Sequence, residues 1–468
     1  MQQQTGIEFT AKASRQFVTP DDNNAIALVG LKPIHKGPTR QYQEGNFSLA
    51  LTIDCSGSMD DPENPQSSVT KLDRAIEGLR EIAGQIRSND RFSLIAFDDH
   101  VAPMITGASG EERHRILNAI DQLRCRFHGG TNVYGALEQA YANLQTSEMS
   151  LNPVQTVILL TDGEITVGRG ETDCCRLATK MAEQGIVIDT LGYGTNYHID
   201  FITELVEPSG GSQTYALTMA DVHNALKLIF SGMRKVGIIN VKLTFDFPQK
   251  VKVGSLYHGV YKVNTDRLES IRCYSRVPIS ASGRQVNVTV GQLEMDKGQI
   301  FALELSPSIS GSQTGETNLV EVQLSYSVLR GQPQQESRSI SVKVTQDQLE
   351  AKGSHDFQIL GLVDELKHSK YVFELGEAQR RKDNKRVFSV LNWLIEDSKN
   401  HGWTEKLQEY EQLLQQLKQW GEINEVIVKA ARSVSRSTSS VAGIITEKPA
   451  ERVEETPPVK RKTPFGKF

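Results

Sequence analysis

The hydrophobic pattern changes period along the chain, and each change marks a boundary. Residues 1–45 alternate weakly, with Ile26 and Leu28 followed by Val29 and Gly30, which predicts one or two strands. From about 46 to 236 short, nearly unbroken apolar runs take turns with amphipathic stretches. The runs are FSLALTID (47–54), FSLIAF (92–97), TVILLTDG (156–163) and IVIDTLGYG (186–194). Between the first two, Leu72, Ile76, Leu79, Ile82 and Ile86 share one helical face from about Val69 to Ile86, and VAPMI (101–105) is close enough to 92–97 to close a hairpin. Further helices are predicted at 111–123, 133–146, 172–184 and 220–235, with a last strand near 212–216. Apolar strands separated by amphipathic helices predict a doubly wound, mostly parallel α/β sheet covered on both faces.

After 237 the period becomes two. Ile239, Val241, Leu243 and Phe245 alternate with polar residues, as do Val286, Val288 and Val290, then Phe301, Leu303 and Leu305. The runs Val320 to Val328 and Ile340 to Val344 continue it, so 237–350 reads as an antiparallel β-sandwich. The strands before 45 are expected to join that sandwich, making it discontinuous in sequence. Between 351 and 430 the period is helical. Tyr371, Leu375 and Ala378 mark one face, Val387, Val390, Leu391 and Leu394 another, and Leu407, Tyr410, Leu414 and Leu417 a third. Two readings stay open, a bundle packed on itself and a helix that meets a partner helix. Residues 431–468 are polar and proline-rich and are expected to be disordered, either as a solvated tail or as a docking peptide carrying Glu454 and Glu455.

Composition narrows the function. A net charge of −5 over 468 residues, spread over both signs, gives no basic face for nucleic acid. No apolar run approaches the ~18 residues a membrane span requires. The start, MQQQTGIEFTAKAS, has neither the basic residues nor the apolar stretch of a signal peptide. The five cysteines (Cys55, Cys125, Cys174, Cys175 and Cys273) are unpatterned and read as reduced thiols. The expectation is a cytoplasmic protein. Cys174 and Cys175 are adjacent, open to metal binding or redox sensing, but a helical position near Leu177 accounts for them more simply.

The candidate chemistry sits where apolar strands end. Asp54-Cys55-Ser56-Gly57-Ser58 closes the first run, and Asp162, in Thr161-Asp162-Gly163-Glu164, closes the third. Between them His128-Gly129-Gly130-Thr131-Asn132 presents a hydroxyl on a glycine turn before a helix. In an open α/β sheet, ligands bind at the carboxyl ends of strands where strand order reverses. Two carboxylates and three hydroxyls form an all-oxygen set that suits Mg²⁺ or Mn²⁺ and not zinc. Taken singly, each element has a plainer reading: a helix cap for the serines or Thr131, a turn for Asp162-Gly163. His128 has no acid or nucleophile partner in the sequence and reads as incidental.

Asp54, Ser56 and Ser58, followed by Thr131 and Asp162, resemble the D-x-S-x-S…T…D metal-ion-dependent adhesion site of von Willebrand factor A domains, without substitution, over roughly 46–235. The succession of A domain, sandwich and helices is similar to bacterial relatives of the inter-alpha-trypsin inhibitor heavy chain arrangement. The resemblance implies that Ser56, Ser58 and Thr131 offer hydroxyls to the metal, that Asp54 and Asp162 act directly or through water, and that a partner's Asp or Glu completes the shell. It implies a Mg²⁺-dependent protein-binding module, an adaptor in a bacterial assembly, signalling or defence system. A second reading is an accessory subunit of an AAA+ ATPase, kinase or phosphatase. The rival from another class is a Mg²⁺-dependent hydrolase. Against it, no GxxxxGK[ST] loop, GxSxG elbow or nucleophile–base pair is present, so the chain is expected not to be an enzyme.

Overall fold

The computed structural model describes residues 4–36, 45–62, 68–125, 129–146, 149, 153–161, 165–193, 199–216, 219–264, 268–274, 284–329, 331–380 and 383–420. The tail expected at 431–468 lies outside them. Three N-terminal strands, β1 (Gln4–Ala13), β2 (Phe17–Val18) and β3 (Ala25–Lys36), come first.

Next come β4 (Phe47–Asp54), β5 (Arg91–Phe97), β6 (Val101–Ala108), β7 (Val154–Thr161), β8 (Ile186–Tyr193) and β9 (Gln213–Ala216). They form one sheet in the order β6-β5-β4-β7-β8-β9, parallel except for β6, which folds back on β5 as a hairpin. Alternation along β4 explains why the sheet is covered twice. Phe47, Leu49, Leu51 and Ile53 face α1 (Lys71–Ala83), α2 (Arg113–Asp121) and the later α6 (Met219–Lys235). Ala50, with Val157 and Leu159 of β7, faces α3 (Val133–Leu144), α4 (Glu171–Glu183) and α5 (Ile199–Val206). Thr70 starts α1 with a reciprocal cap to Asp73, which fixes where the helix begins. Strand order reverses between β4 and β7, opening a crevice at their carboxyl ends.

The helix α6 ends at Lys235 and β10 (Val236–Asp246) begins at the next residue, so no linker separates the α/β unit from the sandwich strands after it. Those strands are β11 (Val251–Lys262), β12 (Leu268–Tyr274), β13 (Gln285–Glu294), β14 (Lys297–Pro307), β15 (Gly315–Val328) and β16 (Pro333–Val344), together with β10. Two five-stranded sheets result, β1-β3-β14-β11-β12 and β13-β10-β15-β16-β2. The N-terminal β3 pairs with β14 from Ala25↔Leu305 to Leu31↔Gln299. The sandwich is therefore interrupted in sequence by the α/β unit.

Four helices complete the described chain: α7 (Gln348–Gly353), α8 (Phe357–Arg380), α9 (Asn384–His401) and α10 (Thr404–Trp420). The first half of α8 lays Ile359, Leu362, Val363 and Leu366 on the outer face of the first sandwich sheet, against Leu28, Tyr257 and Ile300. Its second half turns Val372, Leu375 and Ala378 toward α9 and α10. Leu407, Tyr410, Leu414 and Leu417 thus pack inside this chain. His368 is fully buried at the centre, held by Asp397 at 2.7 Å and the Tyr410 hydroxyl at 2.9 Å.

Of the described cysteine side chains, Cys55, Cys174 and Cys175 are free thiols. Burial pushes Cys174 up to about 12 and Cys175 to about 11, so neither is an activated thiolate at neutral pH.

Candidate metal site

Asp54 is the last residue of β4 and is fully buried. Its two carboxylate oxygens divide their work: Oδ1 accepts from the Ser56 backbone N–H at 2.9 Å, and Oδ2 accepts from the Thr161 hydroxyl at 2.6 Å. The first bond turns the chain after β4. The second ties the end of β4 to the end of β7 across the crevice. Ser56 and Ser58 then stand with their hydroxyl oxygens 3.1 Å apart. Gly57 is not among the glycines with positive φ. Its N–H instead donates to the Gly129 carbonyl at 3.2 Å, joining the serine loop to the glycine turn.

Thr131 lies on that turn and is 4 % exposed. Its N–H donates to the Thr166 hydroxyl at 2.7 Å, and its carbonyl accepts from the Thr166 and Val167 N–H groups at 3.2 and 3.4 Å. Asn132 caps α3 through Gly135. The turn is held from the other side by Asp98, whose carboxylate accepts from the Gly129 N–H at 3.2 Å and the His100 N–H at 2.7 Å. Asp99 accepts from the Gly130 N–H at 2.5 Å. These acids brace backbone and are not read as ligands. Sequence reading assigns Asp98, Asp99 and Thr166 no such part, because each acts on a residue more than thirty positions away.

Asp54, Ser56, Ser58 and the turn bearing Thr131 thus meet at one end of the sheet. Asp162 lies outside the described residues, as do Glu164 and His128, while its neighbour Thr161 is on Asp54. Cys55, between Asp54 and Ser56, points away: its thiol is buried, directed to the Ile53 carbonyl, and burial together with the Asp54, Asp98 and Asp60 carboxylates keeps it protonated. Among the described residues no group of three His, Cys, Asp or Glu gathers as a metal cluster. A cation here would be held largely by hydroxyls. The donor set fits Mg²⁺: neighbouring oxygens of an octahedral shell at ~2.1 Å from the ion stand about 3.0 Å apart, close to the serine separation.

Residues 49–164 match the family model of the von Willebrand factor type A domain. The chain contains a von Willebrand factor A domain. The fold agrees over nearly the whole length with a von Willebrand factor type A protein from Catenulispora acidiphila, at 15% identity and TM-score 0.68, covering 92% of this chain and 97% of that one. The ArnB paralog VWA2 from Sulfolobus acidocaldarius is similar at TM-score 0.55 and 15% identity, covering 92% and 98%. Among sequences, inter-alpha-trypsin inhibitor heavy chain H2 of Mus musculus is 27% identical over 208 residues, 43% of this chain and 21% of the relative. Heavy chain H4 of Sus scrofa is 26% identical over 237 residues, 44% and 24%. The match thus spans about a fifth to a quarter of the length of these curated relatives. Von Willebrand factor A domains are a family of protein-interaction modules, and among the described residues no helix is long and apolar enough to cross a membrane.

Proposed function

We propose that the chain is a Mg²⁺-dependent protein-binding module, with Asp54, Ser56, Ser58, Thr131 and Asp162 as the residues that hold the ion. The observation that carries this reading is the junction of the serine loop, the Thr131 turn and the ends of β4 and β7, built through Asp54 and Gly57. Bound Mg²⁺ (or Mn²⁺) supplies a position that a carboxylate from a partner fills. The hydroxyls are neutral, so they leave much of the ion's charge for that incoming Asp or Glu. Buried Asp54 orients the loop while Thr161 holds Asp54, as outer partners of a metal site do.

The sandwich is fused to the A domain without a linker at 235–236, and the bundle is packed on the sandwich through α8, which suits an adaptor that holds its partner at a fixed place. Its setting is a cytoplasmic bacterial assembly, in the company of an AAA+ ATPase, kinase or phosphatase. The test is capture by the immobilised full-length chain in millimolar Mg²⁺. A partner is expected to be held in Mg²⁺, released by EDTA, and not held by Asp54→Ala. Capture that survives both EDTA and Asp54→Ala contradicts the proposal.

A further inference from the structure

We infer that the A domain selects, beside the coordinating carboxylate, an apolar side chain and a second acidic residue of the partner, through Val167 and Arg169. This rests on the carboxylate-binding reading above and names the partner's chemistry at that same site.

The segment 165–170 lies beyond β7 and is fastened to the Thr131 turn at several points. Ile165 packs into the core between the sheet and α3. Thr166 holds Thr131 from both sides of its peptide, through the hydroxyl and through the backbone. Gly168 has φ +84°, and a Cβ there would stand 2.3 Å from the Asn132 side-chain oxygen, so only glycine lets the segment lie this close to the cap of α3. Such fastening fixes which side chains are left facing outward.

The two that remain are of opposite character and adjacent to the site. Val167 is 37 % exposed, with a methyl against Gly130 of the turn, one residue from Thr131. Arg169 is exposed and lies over the Tyr134 ring at 4.6 Å, with one guanidinium N–H donating to the Tyr134 hydroxyl at 3.2 Å. Tyr134 is on the first turn of α3, three residues after Thr131. Among the described residues Arg169 makes no ion pair; its charge is positioned by the Tyr134 ring, whose hydroxyl donates in turn to Glu138 at 3.3 Å. Acids lie close by: exposed Asp99 of the β5–β6 turn borders Gly130 as Val167 does, and Asp60 and Asp61 follow the serine loop. A segment that brings one carboxylate to the metal therefore meets the Val167 methyl groups beside Gly130 and a cation beyond them at Arg169, while acids set against Asp99, Asp60 or Asp61 are repelled.

The test is an array of Asp-centred peptides with systematically varied flanks, probed with the full-length chain in Mg²⁺ and again in EDTA. The expected result is Mg²⁺-dependent binding that favours peptides with an apolar residue next to the central Asp and a second acid nearby. Arg169→Glu should weaken those peptides by about five- to tenfold and favour ones with Lys in the acid's place, while Mn²⁺ titration gives the wild-type affinity. Mg²⁺-dependent binding that ignores the flanks, or an unchanged preference in Arg169→Glu, overturns the inference and leaves the metal reading standing. Loss of Mn²⁺ binding in Arg169→Glu also overturns it, because Arg169 would then act on the site and not on the partner. The absence of Mg²⁺-dependent binding from every peptide overturns the carboxylate reading and this inference together.

Discussion

Arg234→Met lowers the stability of the A domain by about 3–5 kcal/mol and its melting temperature by roughly 10 °C. Arg234 lies in the last turn of α6 and meets Asp90, the residue before β5, with both terminal guanidinium nitrogens, one of them at 2.9 Å. Asp90 is fully buried, and its carboxylate also accepts from the Arg87 N–H at 2.7 Å and the Phe47 N–H at 3.4 Å. The guanidinium lies over the Phe47 ring at 4.5 Å and donates to the Gln85 carbonyl. Methionine fills much of the same volume, so the loss comes from a buried carboxylate deprived of its counter-charge, not from a cavity. Adding Asp90→Asn should recover part of the loss, because it removes the stranded charge. Thermal melting of the single and double variants checks this. A melting temperature within a degree or two of wild type for Arg234→Met contradicts it.

Deleting residues 1–35 should unfold the sandwich while leaving the A domain folded. The deletion removes Ile7, Phe9, Val18, Val29 and Leu31 from the sandwich core. At about 1.5–3 kcal/mol for each large buried side chain, the loss is on the order of 10 kcal/mol, comparable to the whole stability of a domain. It also uncovers the edge of β14 from Gln299 to Leu305 and removes Arg15, whose buried guanidinium pairs with Asp22 and donates to the Ala351 carbonyl of α7. Hydrogen exchange reads the two units separately. Residues 236–344 should lose protection in the truncated chain while 47–54 and 154–161 keep theirs. Protection of 236–344 equal to that of the full chain defeats the expectation.

How legible an element is in the sequence depends on how many of its faces are buried. The strands β4, β5, β7 and β8 stand out as apolar runs because helices cover both faces of their sheet, and α1 stands out because one stripe faces that sheet. In the sandwich the clean alternation of β10 and β13 marks sheets with one face inward. By contrast β11 blurs the period of two because its later residues meet the sandwich core on one side and α8 on the other. The helix α8 gives no single stripe, since its apolar face turns from the sandwich to the bundle part-way along. The short helix α5, only Ile199–Val206, offers too few turns for a periodic pattern to stand out.

At the site, Asp54, Ser56, Ser58 and Thr131 are legible because the chemistry needs oxygen donors at strand ends and helix starts. The groups that hold them are not. Thr161 reaches Asp54 across 107 residues, Asp98 reaches Gly129 across 31, and Thr166 reaches Thr131 across 35. No local pattern encodes those pairings, since they exist only once β4, β5 and β7 lie side by side.

Calorimetric titration reads the ion at this site without a partner. The full-length chain, titrated with Mn²⁺ and with Mg²⁺, is expected to bind one ion per chain, weakly, since three of the five donors carry no charge. The double variant Ser56→Ala, Ser58→Ala should bind none while keeping the wild-type melting curve, because Ser58 is exposed and Ser56 makes its loop bond to Asp54 through the backbone. Unchanged binding in the double variant, at the same stoichiometry and affinity, contradicts a metal site built on Ser56 and Ser58.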